Sequence, residues 1–233
     1  MSRELRYAAL AVTLTLLATS ADAVQAQQGG QGRGRWGRMF TLPRVTLAQL
    51  EEVREELKLS DEHKQQIEDL NDELAEGMRS AFQDAGGDWD KMREAMSKAQ
   101  QEVNDKLDKL LDPAQRKRMQ EVYIQINGAG ALQDESVAKA LQLTDEQKEK
   151  LEEVREASRD EFMNAGLRDL DEEARAKKIE ELAKSRDDKA MAVLTEEQRA
   201  DFDEMKGEEL KVDLSKLPAF GRRGGAQNRP DAT

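Results

Sequence analysis

The 233-residue chain is acidic, with 49 Asp and Glu against 37 Lys and Arg; 37% of its residues are charged and only 4% are aromatic. That balance argues against a thick globular core and for exposed helices. With no Cys and one His, it also excludes disulfides, thiol chemistry and a conventional zinc site, which needs three or four N or S ligands.

Residues 1–26 read as an export signal. Arg3 and Arg6 precede an apolar run over 7–18, and Ala21-Asp22-Ala23 or Val24-Gln25-Ala26 supplies a small-x-small cleavage site. The run is short of the ~20 residues that a membrane span needs. The expectation is therefore an exported protein, periplasmic or extracellular, without membrane insertion after cleavage. Residues 27–44 form a Gly/Arg-rich segment expected to be a disordered linker, and residues 216–233 a similar basic tail. Residues 24–44 carry Arg33, Arg35, Arg38 and Arg44 without an acid, and 216–233 carry a net +3, so residues 45–215 hold −19. An acidic body of that size repels phosphate, which argues against a nucleic-acid partner.

Between the flanks the expected fold is all-α: two tandem copies of an elongated helical-hairpin unit, repeat 1 over 45–127 and repeat 2 over 128–215. A lead helix over 47–57 is followed by helices over 60–85, 89–110 and 113–126. A boundary at 127–130 precedes helices over 135–141, 145–165, 169–193 and 196–208. The repeat is visible in Leu57–Leu70 and Leu141–Val154, which align 84 positions apart without a gap and are identical at six of fourteen positions. A weaker pair, Leu110–Val122 and Val193–Met205, is offset by 83.

Each repeated stretch carries a helix-start pattern. Leu143-Thr144-x-x-Gln147 and Leu194-Thr195-x-x-Gln198 place a hydroxyl at the N-cap and Gln three residues on, a capping box in which each side chain satisfies an orphan backbone N–H. Leu111-Asp112-x-x-Gln115 varies it with an Asp cap and Pro113 at the first helical position. Leu59-Ser60-x-x-His63 keeps the cap and puts the only His at the third position, where a structural role is expected of it. From each leading Leu an apolar stripe runs at helical spacing, narrow enough to bury one side of each helix.

These pentapeptides resemble the LTxxQ-motif family of Spy/CpxP-type periplasmic proteins, strictly at Leu143, Thr144, Gln147, Leu194, Thr195 and Gln198 and loosely at Leu59, Ser60, His63, Leu111, Asp112 and Gln115. The resemblance covers four pentapeptides within about 150 residues. It implies an all-α protein, usually a dimeric cradle, that acts as an ATP-independent chaperone or an envelope-stress adaptor. The duplication departs from the family pattern, so the chain is expected as a monomer that forms the cradle from its own halves, or as a homodimer.

No phosphate-cradling Gly loop, nucleophile elbow or calcium loop is present, and the acid cluster Asp169, Asp171, Glu172, Glu173 reads as a solvated helix face. No enzymatic activity and no cofactor are expected. Methionine is the remaining feature: Met78, Phe82, Trp89, Met92 and Met96 surround the Gly86-Gly87 turn, and Phe162 and Met163 hold a similar place in the second half. Polarisable Met suits a surface that accepts many partners, and the same residues could equally close the hairpin ends as core. The expected function is capture of unfolded or partly folded clients on exposed helix faces; the alternatives are an adaptor that docks one envelope protein, or a passive helical spacer.

Overall fold

The computed structural model of the chain describes residues 41–217. Two short helices, α1 (Arg44–Leu47) and α2 (Glu51–Glu56), lead into a hairpin of α3 (Asp61–Asp84) and α4 (Trp89–Leu110), and α5 (Pro113–Asn127) follows. A 3-10 segment, Gly128–Gln133, and α6 (Glu135–Ala140) lead into a second hairpin of α7 (Asp145–Met163) and α8 (Glu172–Ala192), closed by α9 (Glu196–Glu204). Further 3-10 turns stand at Leu167–Asp169 and Leu214–Lys216. The fold is all-α, with no strand among the described residues. The signal over 1–26, the linker over 27–40 and the tail over 218–233 lie outside them.

Caps set the helix starts. Thr144 and Thr195 each accept from the N–H of the Gln three residues on and donate their own N–H to that Gln's Oε1, and Asp112 with Gln115 does the same. Ser60 accepts from the His63 N–H without the return bond. Asp88, Asp134 and Asp171 cap α4, α6 and α8. The hairpins are entered by matching local structure 84 residues apart. α2 and α6 have the same length, and each ends on a left-handed residue, Lys58 and Gln142, both at φ 51°. The next N–H, of Leu59 or Leu143, then donates to the carbonyl of Arg54 or Ala138, closing the helix end.

The core lies where the short segments meet the capped helix starts. Val45, Leu47, Leu50 and Val53 of the lead-in, Met119, Val122 and Ile124 of α5, and all four leading leucines (Leu59, Leu111, Leu143, Leu194) are buried in it. Outward along the hairpins the core thins to one row: Ile67, Leu74, Ala81, Val103 and Leu107 in the first, Leu151, Ile179, Ala183 and Ala190 in the second. Gly77 marks the closest approach of α3 to α4, since a Cβ there would lie 2.8 Å from that of Ala99.

Three expectations need correcting. The single lead helix over 47–57 is two helices, because Leu50 is extended (ψ 134°) and the bend lets Leu47, Leu50 and Val53 all reach the core. The boundary at 127–130 runs into the 3-10 segment, where Ala129, Ala131 and Leu132 are buried and the segment packs against α5, α6, α7 and α8. The last helix stops at Glu204 rather than 208, with Gly207 at φ 58° just beyond. Residues 41–44 and 216–217, expected in the disordered flanks, are ordered. The Leu42 main chain is bonded on both sides by Asn127, Arg44 is buried in α1, and Lys216 pairs with Glu52.

Candidate functional site

The two Leu-Thr-x-x-Gln motifs of the second half meet. Gln147 Nε2 donates to Gln198 Oε1 at 2.6 Å, and Gln198 Nε2 donates back to Gln147 Oε1 at 3.1 Å. Each amide nitrogen also reaches the main chain that precedes the other motif or leads into its own hairpin: Gln147 to the Val193 carbonyl (3.1 Å) and Gln198 to the Leu141 carbonyl (3.2 Å). Each amide oxygen takes its own cap N–H, of Thr144 or Thr195, at 3.0 Å. One Gln per motif thus closes its capping box and clasps the end of the hairpin to the start of α9. The Leu of each motif fills the core beneath.

In the first half the clasp is incomplete. Gln115 keeps its box and donates to the Leu57 carbonyl at 2.8 Å, the counterpart of the Gln198–Leu141 bond. Its opposite number is His63, whose Nδ1 is buried without a hydrogen-bond partner. An imidazole lacks the paired carbonyl and amide that a Gln offers, so it cannot both cap Ser60 and pair with Gln115. The motif residues are therefore structural in both halves.

A second polar centre, which sequence reasoning missed, ties the lead-in to the boundary. Arg44 pairs with Asp134 at 3.0 Å, both side chains under a tenth exposed, and with the half-exposed Asp108 at 3.3 Å. Its guanidinium lies 5.7 Å from the centre of the Tyr123 ring. Burial pushes the Tyr123 phenol above its ordinary value, with Asp134 adding to the shift and Arg44 opposing it. Asp134 also caps α6 through the Ser136 N–H. The signal was an unpaired Arg next to an apolar run, read instead with the basic linker.

The candidate client residues occupy the far ends of the hairpins. Phe82, near the end of α3, is 68% exposed, and Met163, the last residue of α7, is 73% exposed; they are the exposed large apolar side chains among the described residues. Met78 is half-buried and packs on the core. Met92, Met96 and Phe162 are half-buried, and Trp89 opens α4. The structure divides the set between two hairpins rather than gathering it into one pocket. Around them the surface is charged: Arg93 of α4 pairs with Glu152 and Glu156 of α7, both at 3.1 Å, and Arg155 holds the Glu152 carboxyl below its usual range, helped by Arg93. Among the described residues no cluster of acids and His could hold a metal ion, and no helix is long and apolar enough to cross a membrane. Compared with family models, characterised proteins and solved structures, the chain matches none of them.

Proposed function

We propose that this chain is an exported, ATP-independent chaperone-like protein that holds unfolded or partly folded clients against the far ends of its two hairpins. The observation that carries the reading is the placement of Phe82 and Met163, left in water at the ends of helices that otherwise present charge. A large apolar side chain in such a setting binds weakly and without much selectivity, and the surrounding charge keeps a complex soluble and speeds encounter. The half-buried methionines beside them supply adaptable contact. The resemblance of the capped motifs to Spy/CpxP-type proteins supports the same reading, as does the signal-like start of the chain.

The test is suppression of aggregation. Mature protein is added without nucleotide to several unrelated unfolding substrates, and light scattering is followed. Dose-dependent suppression is expected across substrates, weakened several-fold by Phe82→Ser with Met163→Ser while the melting temperature stays within about 1 °C, because exposed positions contribute little to stability. Suppression that survives the double substitution refutes the site. No suppression at all, with tight capture of a single envelope protein, refutes the function and favours the adaptor.

A further inference from the structure

The gapless 84-residue offset continues upstream of the stretch that first reveals it: Gln49, Glu51, Val53 and Leu57 recur as Gln133, Glu135, Val137 and Leu141. At four positions the second lead-in is smaller, although Leu132 replaces Ala48. Where the first half has Val45, Thr46 and Leu47, the second has Ala129, Gly130 and Ala131; where the first has Arg54, the second has Ala138. In the first half these larger side chains close the base of the hairpin. Val45 and Leu47 are wholly buried, and Thr46 donates to Asn71 at 2.9 Å. Arg54 lies across the groove beside α3, donating to the Ala48 carbonyl and pairing with Glu68 at 3.0 Å.

In the second half the place that Arg54 occupies in the first, beside Ala138, is open. A groove of about 860 Å³ runs between the lead-in and α7, with Leu132, Ala138, Leu143 and Leu151 among its lining and Glu135 and Glu152 beside them. Glu152 is the counterpart of Glu68, and Leu132 of Ala48. Lys139 and Lys148 also border the groove, and Glu152 is shared with Arg93 and Arg155. Net charge is therefore balanced; what the groove lacks is side-chain volume.

We propose that the groove is a docking site for the chain's own residues 33–40, Arg-Gly-Arg-Trp-Gly-Arg-Met-Phe. The place where the described chain begins supports this occupant. Thr41 lies directly against Gly130, its Oγ1 3.1 Å from where a Cβ would stand, and the Leu42 main chain is fixed by Asn127. Gly130 is two residues from Leu132 of the groove, roughly 4 Å along a 3-10 segment. The main chain from Thr41 back to Arg38 spans up to about 10 Å, and back to Trp36 up to about 17 Å. Met39, Phe40 and Trp36 offer apolar volume beside Ala138, where the first half has the stem of Arg54. Arg38 and Arg35 offer the guanidinium that Arg54 provides in the first half, with an aliphatic stem suited to the apolar lining. The small Ala138 of the second lead-in then complements this segment, and docking is independent of client binding.

The absence of Cys makes the test clean. Gly37→Cys is combined with Lys139→Cys at the groove, and separately with Glu55→Cys, the matching exposed position of the first half, in the mature chain under mild oxidation. Docking predicts an intramolecular disulfide that forms roughly tenfold faster for the Lys139 pair, as expected when tethered groups are held together. Retained helical circular dichroism checks the fold of each variant. Equal rates for the two pairs, or a disulfide-linked dimer as the main product, overturn the proposal, the latter assigning the groove to a second copy. A further arm adds Ala138→Arg to the Lys139 pair: a filled groove should slow cross-linking to the control rate, and an unchanged rate also counts against docking.

Discussion

Replacing His63 with Gln should complete the clasp of the first half. In the second half the Gln147–Gln198 pair makes two reciprocal amide bonds, and Gln147 adds a third to the Val193 carbonyl. At the matching place His63 leaves Nδ1 buried and unpartnered, and Ser60 lacks the return bond that completes a box. A net intramolecular hydrogen bond contributes about 0.5–1.5 kcal/mol, and relieving an unsatisfied buried group contributes about 1–3 kcal/mol where burial is complete. His63 as a whole is only half-buried, which puts its relief at the low end. Ordering a Gln side chain costs up to about 2 kcal/mol against this. The balance is a gain of about 1–2 kcal/mol. For an ordered body of this size that raises the melting temperature by roughly 2–8 °C. Calorimetry and urea titration at pH 7 measure it, and the reverse exchange, Gln147→His, should cost a similar amount. A His63→Gln protein no more stable than the parent, together with a harmless Gln147→His, would refute the view that the amide pair, rather than the cap alone, fixes these helix starts.

Three other perturbations test the rest of the frame. Gly77→Ala should destabilise despite the better helix propensity of Ala, because the added Cβ meets Ala99 at 2.8 Å: overpacking of about 1–3 kcal/mol outweighs a gain of at most about 1 kcal/mol. Adding Ala99→Gly should restore part of the loss, as read from a double-mutant cycle in urea. Arg44→Ala leaves Asp134 nearly buried without its partner and should cost about 3–5 kcal/mol, whereas an isosteric apolar exchange of both residues should cost far less. Acid should release the C-terminal segment before the hairpins. The Lys216 hydrogen bond holds the Glu52 carboxyl below its ordinary value, so the stabilisation is present above the unfolded pKa near 4.5 and is lost as pH falls through the lower folded value. Hydrogen exchange at residues 214–217 should therefore rise as the pH falls below the unfolded value near 4.5, and Glu52→Gln should give that rise at pH 7.

The parts legible in the sequence were those whose causes lie within a few residues. A hydroxyl or carboxylate with Gln three positions on fixes a helix start through bonds that never leave the first turn, and the starts at Asp61, Pro113, Asp145 and Glu196 follow. The glycines at 86 and 87 adopt positive φ at the turn that the sequence places there, and Gly166 does so where the second hairpin turns. What stayed hidden depends on residues far apart. Arg44 looked like linker because its local company is basic and Pro-flanked, yet its burial is decided by Asp134, ninety positions away. The close approach at Gly77 follows from the register of α3 on α4, which no single-helix pattern contains.

The candidate client residues show the same division more sharply. Composition placed Met and Phe near the hairpin ends but could not separate a side chain that faces the partner helix from one that faces water. Met78 and Phe82 are one turn apart on α3, and the first packs on the core while the second stands in solvent. An i, i+4 pair shares a face only approximately, since four residues overshoot a 3.6-residue turn by about 40°. At the base of a hairpin, neighbours on several sides absorb that drift and both residues are buried. At its far end only one partner helix remains, so a small rotation is enough to turn the second residue into water. A narrow apolar stripe on a long two-helix arm therefore exposes its last large side chain by geometry, and the arm ends are where such a fold presents apolar surface to water.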